Sequence, residues 1–366
     1  MTPEEIELLS ELTIVIQTFN RPLEIERSIE FWRDTPVTVH ILDGSEKPLF
    51  KVGVLPGIPT ITYHHYPIAR GELPFSNGQR RMELCLNLPI TKFAAVGADD
   101  DFYLISGLIE SLQILKSDLA INAAVGRVLT YERRGKLYWH HKYVPRSNRT
   151  DLETDSIERK LSTGSSWFLH AVCRTENWQK FLKICYEEKK FTKENFFAHE
   201  WLLFPLCKAM FRTKYIDALF EVRQETIIGK NQPPEVPWEE FICDERNAGH
   251  IDEITKQLAK GFNEVTPESE FAKNLELARE QMRLERERAL RSKVSRQKSK
   301  TFKSALGNFL FLLLPSLNMF SDRPRRLKYL WRIPQYQYSP EQQKEVEEIQ
   351  RLLLKPREEL RLRANI

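Results

Sequence analysis

Three consecutive carboxylates, Asp99, Asp100 and Asp101, end the apolar run of "FAAVGADDDF", and none of their sequence neighbours is Lys or Arg. A helix cap needs one aspartate. Three adjacent ones repel each other and raise each other's pKa unless positive charge is set among them. A divalent cation with oxygen ligands, Mn2+ or Mg2+, meets that need and keeps coordination positions for substrate phosphates. The three carboxylates are the candidate oxygen ligands. Their position at the end of a strand is also where open α/β sheets bind ligands.

Other chemistry-bearing patterns are weaker. In "FFAHEWLLF" the His199–Glu200 pair is followed by Leu203 where HExxH needs its second histidine, so a zinc-protease reading fails. Glu200 also suits the start of a helix through the dipole. The pairs His64–His65 and His140–His141 sit in strand-like runs, where neighbours point to opposite faces, and read as structural. Neither GxGxxG nor GxxxxGK[ST] occurs. Five cysteines without a CxxC pair argue against a disulfide framework or a cysteine-based zinc site.

The elements that must position these residues follow an α/β rhythm. "LTIVIQTF" reads as a strand buried on both faces, and Pro22 opens a helix in which Leu23, Ile25, Ile29 and Trp32 supply apolar positions. "VTVHILDGS" and "TITYHHYP" read as strands, "NGQRRMELCLNLP" as a helix, "KFAAVGADDDF" as a strand and "SGLIESLQILKS" as a helix. "INAAVGRVLTYERRGKLYWHHKYV" predicts two strands with a turn at Arg134 and Gly135. Two helical patterns and the strand "YIDALFEVRQ" complete a domain over 1–232. The prolines at 233, 234 and 237 mark a linker and small helical segment over 233–270. A basic, partly amphipathic helical region over 271–366 follows.

At this point the chain resembles the GT-A fold glycosyltransferases of the family-2 type. "TIVIQTFNRP", "ILDGS" at the end of the second strand, "NGQRR" before a helix and the aspartate cluster carry the likeness, over about Leu12 to Gln224. It implies a GT-A-like, Rossmann-like and mostly parallel sheet flanked by helices. The activity implied is sugar transfer from a nucleotide-sugar donor, with a UDP-sugar expected, to an acceptor hydroxyl on a saccharide or lipid-linked acceptor in cell-surface glycan synthesis. By position, Thr18, Asn20 and Arg21 meet the nucleoside and Asp43 accepts a hydrogen bond from the base. Asn77, Arg80 or Arg81 face the ribose or diphosphate, and Arg223 approaches the diphosphate. Asp99 and Asp101 form the DxD pair, with Asp100 as the alternative to Asp99 because Ala98 stands where a first aspartate could fall. Glu200 takes the place of the general base of an inverting transfer, and "STGSSWFLH" shapes the acceptor side. A nucleotidyltransferase, or a nucleic-acid-binding or scaffold protein without catalysis, are the competing readings.

Charge and composition set limits on partners. The chain has 366 residues, 41% of them hydrophobic, enough for a sizeable core. The acidic start "MTPEEIELLSEL" is no leader, and no apolar run reaches the ~20 residues of a membrane span. A cytoplasmic protein is expected. Of 55 Lys/Arg and 51 Asp/Glu, residues 282–332 hold fourteen and three, so that window carries +11 and the remainder −7. Because the charge surrounds the leucine-rich "NFLFLLLP", it suits peripheral attachment to an anionic membrane, with a hairpin packed on the domain as the alternative. Nucleic acid would call for aromatics among the arginines and is not expected.

Overall fold

The computed structural model describes residues 1–72, 74–134, 136–142, 153–162, 170–186, 196–224, 238–291 and 339–360. Within them ten strands form one mixed sheet flanked by helices. The strands are β1 (Leu12–Thr18), β2 (Thr38–Asp43), β3 (Gly53–Leu55), β4 (Ile58–His65), β5 (Phe93–Ala98), β6 (Phe102–Tyr103), β7 (Ala123–Arg134), β8 (Lys136–Lys142), β9 (Val172–Arg174) and β10 (Thr213–Gln224). Their spatial order is β3-β4-β2-β1-β5-β9-β7-β10-β6, with β8 also on β7.

The parallel half is β4-β2-β1-β5. β1 and β5 are almost wholly buried, as strands covered on both faces must be. The chain leaves β1 toward β2 on one side and takes up β5 on the other. The carboxyl ends of β1 and β5 therefore flank a topological switch point, where a crevice opens in sheets of this kind.

Helix α1 (Pro3–Ser10) starts with a reciprocal capping box between Thr2 and Glu5. In α2 (Pro22–Trp32) proline occupies the first turn, and Ile25, Ile29 and Trp32 form the buried stripe. Helices α3 (Pro74–Leu84), α4 (Ile105–Ser117), α5 (Ile157–Ser162), α6 (Thr175–Tyr186) and α7 (Phe196–Met210) complete the layers. At Gly107 in α4 a Cβ would stand 2.7 Å from the Leu219 carbonyl oxygen, so glycine permits the close approach of α4 to β10.

The structure departs from the expected elements at two strands. β3 pairs antiparallel with β4 at the sheet edge. β9 inserts antiparallel between β5 and β7; of "STGSSWFLH" just before it, 163–169 lie outside the described residues. β7 and β8 pair with Arg134 opposite Lys136, as the predicted turn requires; Gly135 itself lies outside the described residues.

Beyond 233, α8 (Trp238–Phe241), α9 (Ala248–Asn263) and a helix over 271–291, α10, pack on the same hydrophobic core as the sheet. The charged α10 buries a narrow stripe of Asn274, Ala278, Met282, Glu285 and Ala289, at intervals of three and four residues. The start of the basic window is thus packed against the domain. Residues 292–338 lie outside the described residues. α11 (Pro340–Leu354), capped by Ser339, returns to α2 and α4. All five cysteines are free thiols. Among the described residues no helix is long and apolar enough to cross a membrane.

Candidate functional site

At the switch point the chain leaves β1 through Asn20, whose φ of 53° is left-handed. Asparagine tolerates that conformation better than most residues. Its backbone N–H donates to Ser45 Oγ at 2.8 Å, tying the β1 loop to the β2 loop. The next residue, Arg21, reaches across to the acidic turn. Its Nη1 donates to Asp99 Oδ1 and its Nη2 to Asp100 Oδ2, both at 2.6 Å. Thr18 Oγ1 donates to the other oxygen of Asp99 at 2.7 Å. The counter-charge missing from the local sequence therefore arrives from 78 residues away. Burial still pushes the Asp99 carboxyl up to about 7, against the pull of Arg21.

Asp101 points into a second network. Its Oδ1 accepts from the Gln224 N–H at 3.2 Å, and its Oδ2 lies 3.4 Å from Arg223 Nε and 3.8 Å from His170 Nδ1. Arg223 Nη2 donates to both oxygens of Glu221, at 2.9 and 3.1 Å. Burial lifts Asp101 well above the carboxylate range, with Glu221 and Asp100 adding to the rise. For Glu221, burial is outweighed by Arg223 and His170, which hold it at about 2. Burial and the neighbouring guanidinium of Arg223 depress His170, against the opposing pull of Glu221.

One carboxylate oxygen each from Asp101 and Glu221 and a ring nitrogen of His170 all lie within 4.8 Å of one another. His170 Nδ1 lies 2.9 Å from Glu221 Oε1 and 3.8 Å from Asp101 Oδ2, and so faces both carboxylates. A buried imidazole nitrogen beside two carboxylates fits a divalent cation. Charge agrees. Asp99, Asp100, Asp101 and Glu221 face Arg21 and Arg223, which leaves two negative charges when all four are ionised.

Several expected ligand contacts are instead part of the floor. Asp43 is fully buried, and its carboxylate already accepts from the Ser45 N–H and Oγ and from Tyr63 OH. It organises the β2 turn through these bonds. Arg81 is also buried, and its Nη1 donates to the carbonyls of Thr18 and Leu42, clamping the ends of β1 and β2. Asn77 donates to the Tyr66 carbonyl and to Glu72. A Cβ on Gly44 would collide with Asn77 Oδ1 at 2.2 Å, so only glycine lets this helix approach the turn. Arg80, at the rim, is engaged by Glu72 and the Pro67 carbonyl. Arg223 sits inside the acidic cluster, and the expected metal pair divides: Asp99 goes to Arg21 while Asp101 joins His170 and Glu221.

Glu200 falls within α7, and its side chain lies outside the described residues. Glu221 and His170 were not anticipated as site residues. Glu221 was discoverable, because it stands two residues from Arg223 in one strand and so shares its face. No signal in the sequence placed His170 beside Asp101.

No protein-family model matches the chain, and no curated protein matches it. Among solved structures it is similar to S. aureus TarS 1-349 at 12% identity and a TM-score of 0.45, covering 93% of this chain and 89% of that one. S. aureus TarS aligns at 13% and 0.43 over 72% of this chain, which spans 42% of that structure's length. TarS 1-349 in complex with UDP-GlcNAc aligns at 13% and 0.41, over 72% of this chain and 70% of that one. Scores this low carry no argument about activity, which rests on the site itself.

If Asp43 is a floor residue, Tyr63→Phe leaves one of its buried oxygens without a donor. The expected loss is about 1–3 kcal/mol in urea unfolding. An unchanged midpoint would mean that Asp43 is open to solvent or ligand.

Proposed function

We propose that the chain is a metal-dependent glycosyltransferase that moves a sugar from a nucleotide-sugar donor, a UDP-sugar, to an acceptor hydroxyl with inversion. The observation that carries this reading is the acidic cluster at the switch point, which brings one oxygen each of Asp101 and Glu221 and a ring nitrogen of His170 within 4.8 Å of one another. The likeness of "TIVIQTFNRP", "ILDGS" and "NGQRR" to the family-2 type supports it from the sequence side. Asp101, Glu221 and His170 would hold Mn2+ or Mg2+. When bound, the cation supplies positive charge against the diphosphate of the leaving group.

The chain's own residues do the remaining work. Asn20, exposed at the crevice, and Arg21, about one third exposed, face the entering nucleotide, while Thr18 holds Asp99 behind them. Arg80 at the rim offers a second guanidinium to phosphate or ribose once it leaves Glu72. Buried Asp43, Asn77 and Arg81 keep the loops in place. Glu200 takes the proton of the acceptor hydroxyl as the glycosidic bond forms and the nucleoside diphosphate departs. Residues 282–332 form the contact to an anionic membrane at the cytoplasmic face, centred on the stretch beyond α10.

Four outcomes are expected. Incubated with a panel of nucleotide sugars, the protein releases nucleoside diphosphate, and pyrophosphate release from a nucleoside triphosphate would instead favour nucleotidyl transfer. By calorimetry, Asp101→Asn reduces UDP affinity in Mn2+ to the level seen in chelator; equal wild-type affinity in chelator and Mn2+ would remove the metal. Glu200→Gln lowers transfer by roughly 10² to 10⁴ with donor binding unchanged, and wild-type turnover would make Glu200 only a helix residue. Association of the full chain with anionic vesicles weakens as salt rises; no association at low salt would remove the membrane from the proposal.

A further inference from the structure

A second hydrophobic cluster, separate from the main core, lies behind the acidic site. It joins Phe102, Leu104, Leu129, Tyr131, Leu219 and Val222 of the sheet region to Ile349 and Leu353 of α11. Three of these sheet residues are tied to site residues. Phe102 follows Asp101, and Val222 stands between Glu221 and Arg223. Tyr131 OH donates to the Asp100 carbonyl at 2.9 Å and lies 3.3 Å from Gln224 Oε1, the residue whose N–H holds Asp101.

Strand alternation sends Val222 to the face opposite Glu221 and Arg223. Helix α11 therefore covers the back of the strands whose front carries the cluster. β6, which carries the acidic turn into the sheet, has two residues, paired as Phe102 with Val222 and Tyr103 with Glu221. So short a strand has little stability of its own and needs packing on its exposed face. α11 supplies that packing, and polar contacts fix its seat. Glu345 accepts from the N–H and Oγ of Ser106 at 3.0 and 3.2 Å. Just past the helix, Arg357 grips both oxygens of Glu26 at 2.7 and 2.6 Å, and Arg27 Nη2 donates to the Lys355 carbonyl at 3.2 Å. Glu26 and Arg27 belong to α2, the helix that begins directly after Arg21. The same C-terminal segment thus seats both the arginine side and the aspartate side of the switch point.

We propose that α11 is a positioning element for the acidic site: Ile349 and Leu353, which share one buried cluster with Phe102, Tyr131 and Val222, hold Asp101 and Glu221 in register to share one cation. This rests on the metal reading above for its ligand but not for its geometry. Leu353 acts through the strands.

The test uses the full chain with three variants. Leu353→Ala opens the cluster, Leu353→Met refills it, and Leu258→Ala makes a comparable cavity in α9, within the main core. Mn2+ affinity, thermal midpoint and amide hydrogen exchange are measured for each. Leu353→Ala weakens Mn2+ binding roughly tenfold, the scale of supporting contacts around a metal, and speeds exchange at residues 100–103 and 221–224. Leu353→Met restores both. Leu258→Ala lowers the midpoint without either effect. Equal Mn2+ affinity and equal exchange in Leu353→Ala and Leu258→Ala would reduce α11 to ordinary packing. If wild type binds no Mn2+, the metal reading fails and hydrogen exchange alone decides the positioning role.

Discussion

Everything at the switch point depends on how four carboxylates are kept together out of water. Isolated buried carboxylates are costly, and in proteins they either take up protons or acquire partners. Here partners come from opposite sides. Arg21, from the start of α2, engages Asp99 and Asp100; Arg223, from the end of β10, engages Glu221 and approaches Asp101. Neither arginine lies near the aspartates in sequence, so the turn after β5 can adopt this form only when β1, β5 and β10 are assembled. Two arginines face four acids, a surplus of negative charge when all four are ionised.

The surrounding architecture serves that balance. The left-handed Asn20 lets the chain turn sharply enough for Arg21 to reach the acids, and Ser45 holds the turn. Ser45 is in turn bound by Asp43, which is bound by Tyr63 from β4. Arg81 clamps the carbonyls at the ends of β1 and β2. These polar residues form a buried floor whose groups satisfy one another, which gives a rigid support at the cost of being unavailable to a ligand. Groups left at the surface, Asn20, Arg21 and Arg80, are the ones able to meet a substrate.

The parallel half of the sheet was legible because its strands are short apolar runs ending in polar turns, and both buried faces write themselves into composition. Asp99, Asp100 and Asp101 were legible for the same reason, as charges placed where a core strand stops. Partners were not. Arg21 and the aspartates are separated by the whole β2–β4 excursion, and local sequence carries no trace of a contact made by tertiary assembly. β3 and β9, three residues each, are too short for alternation to show. Glu221 and His170 met the same limit, although strand alternation linked Glu221 to Arg223. Likewise the buried stripe of α10 rests on alanines and single polar residues, which read as a solvated helix until its packing is seen.

One divalent cation is expected to answer the charge at the switch point. Anomalous diffraction from crystals soaked in Mn2+ shows this directly. The expected result is a single strong peak bonded to Asp101, Glu221 and Nδ1 of His170, with Arg223 withdrawn from Asp101. A site without a peak, or a peak elsewhere with Arg223 still paired to Asp101 and Glu221, would contradict it and leave the cluster as a closed ion-pair network.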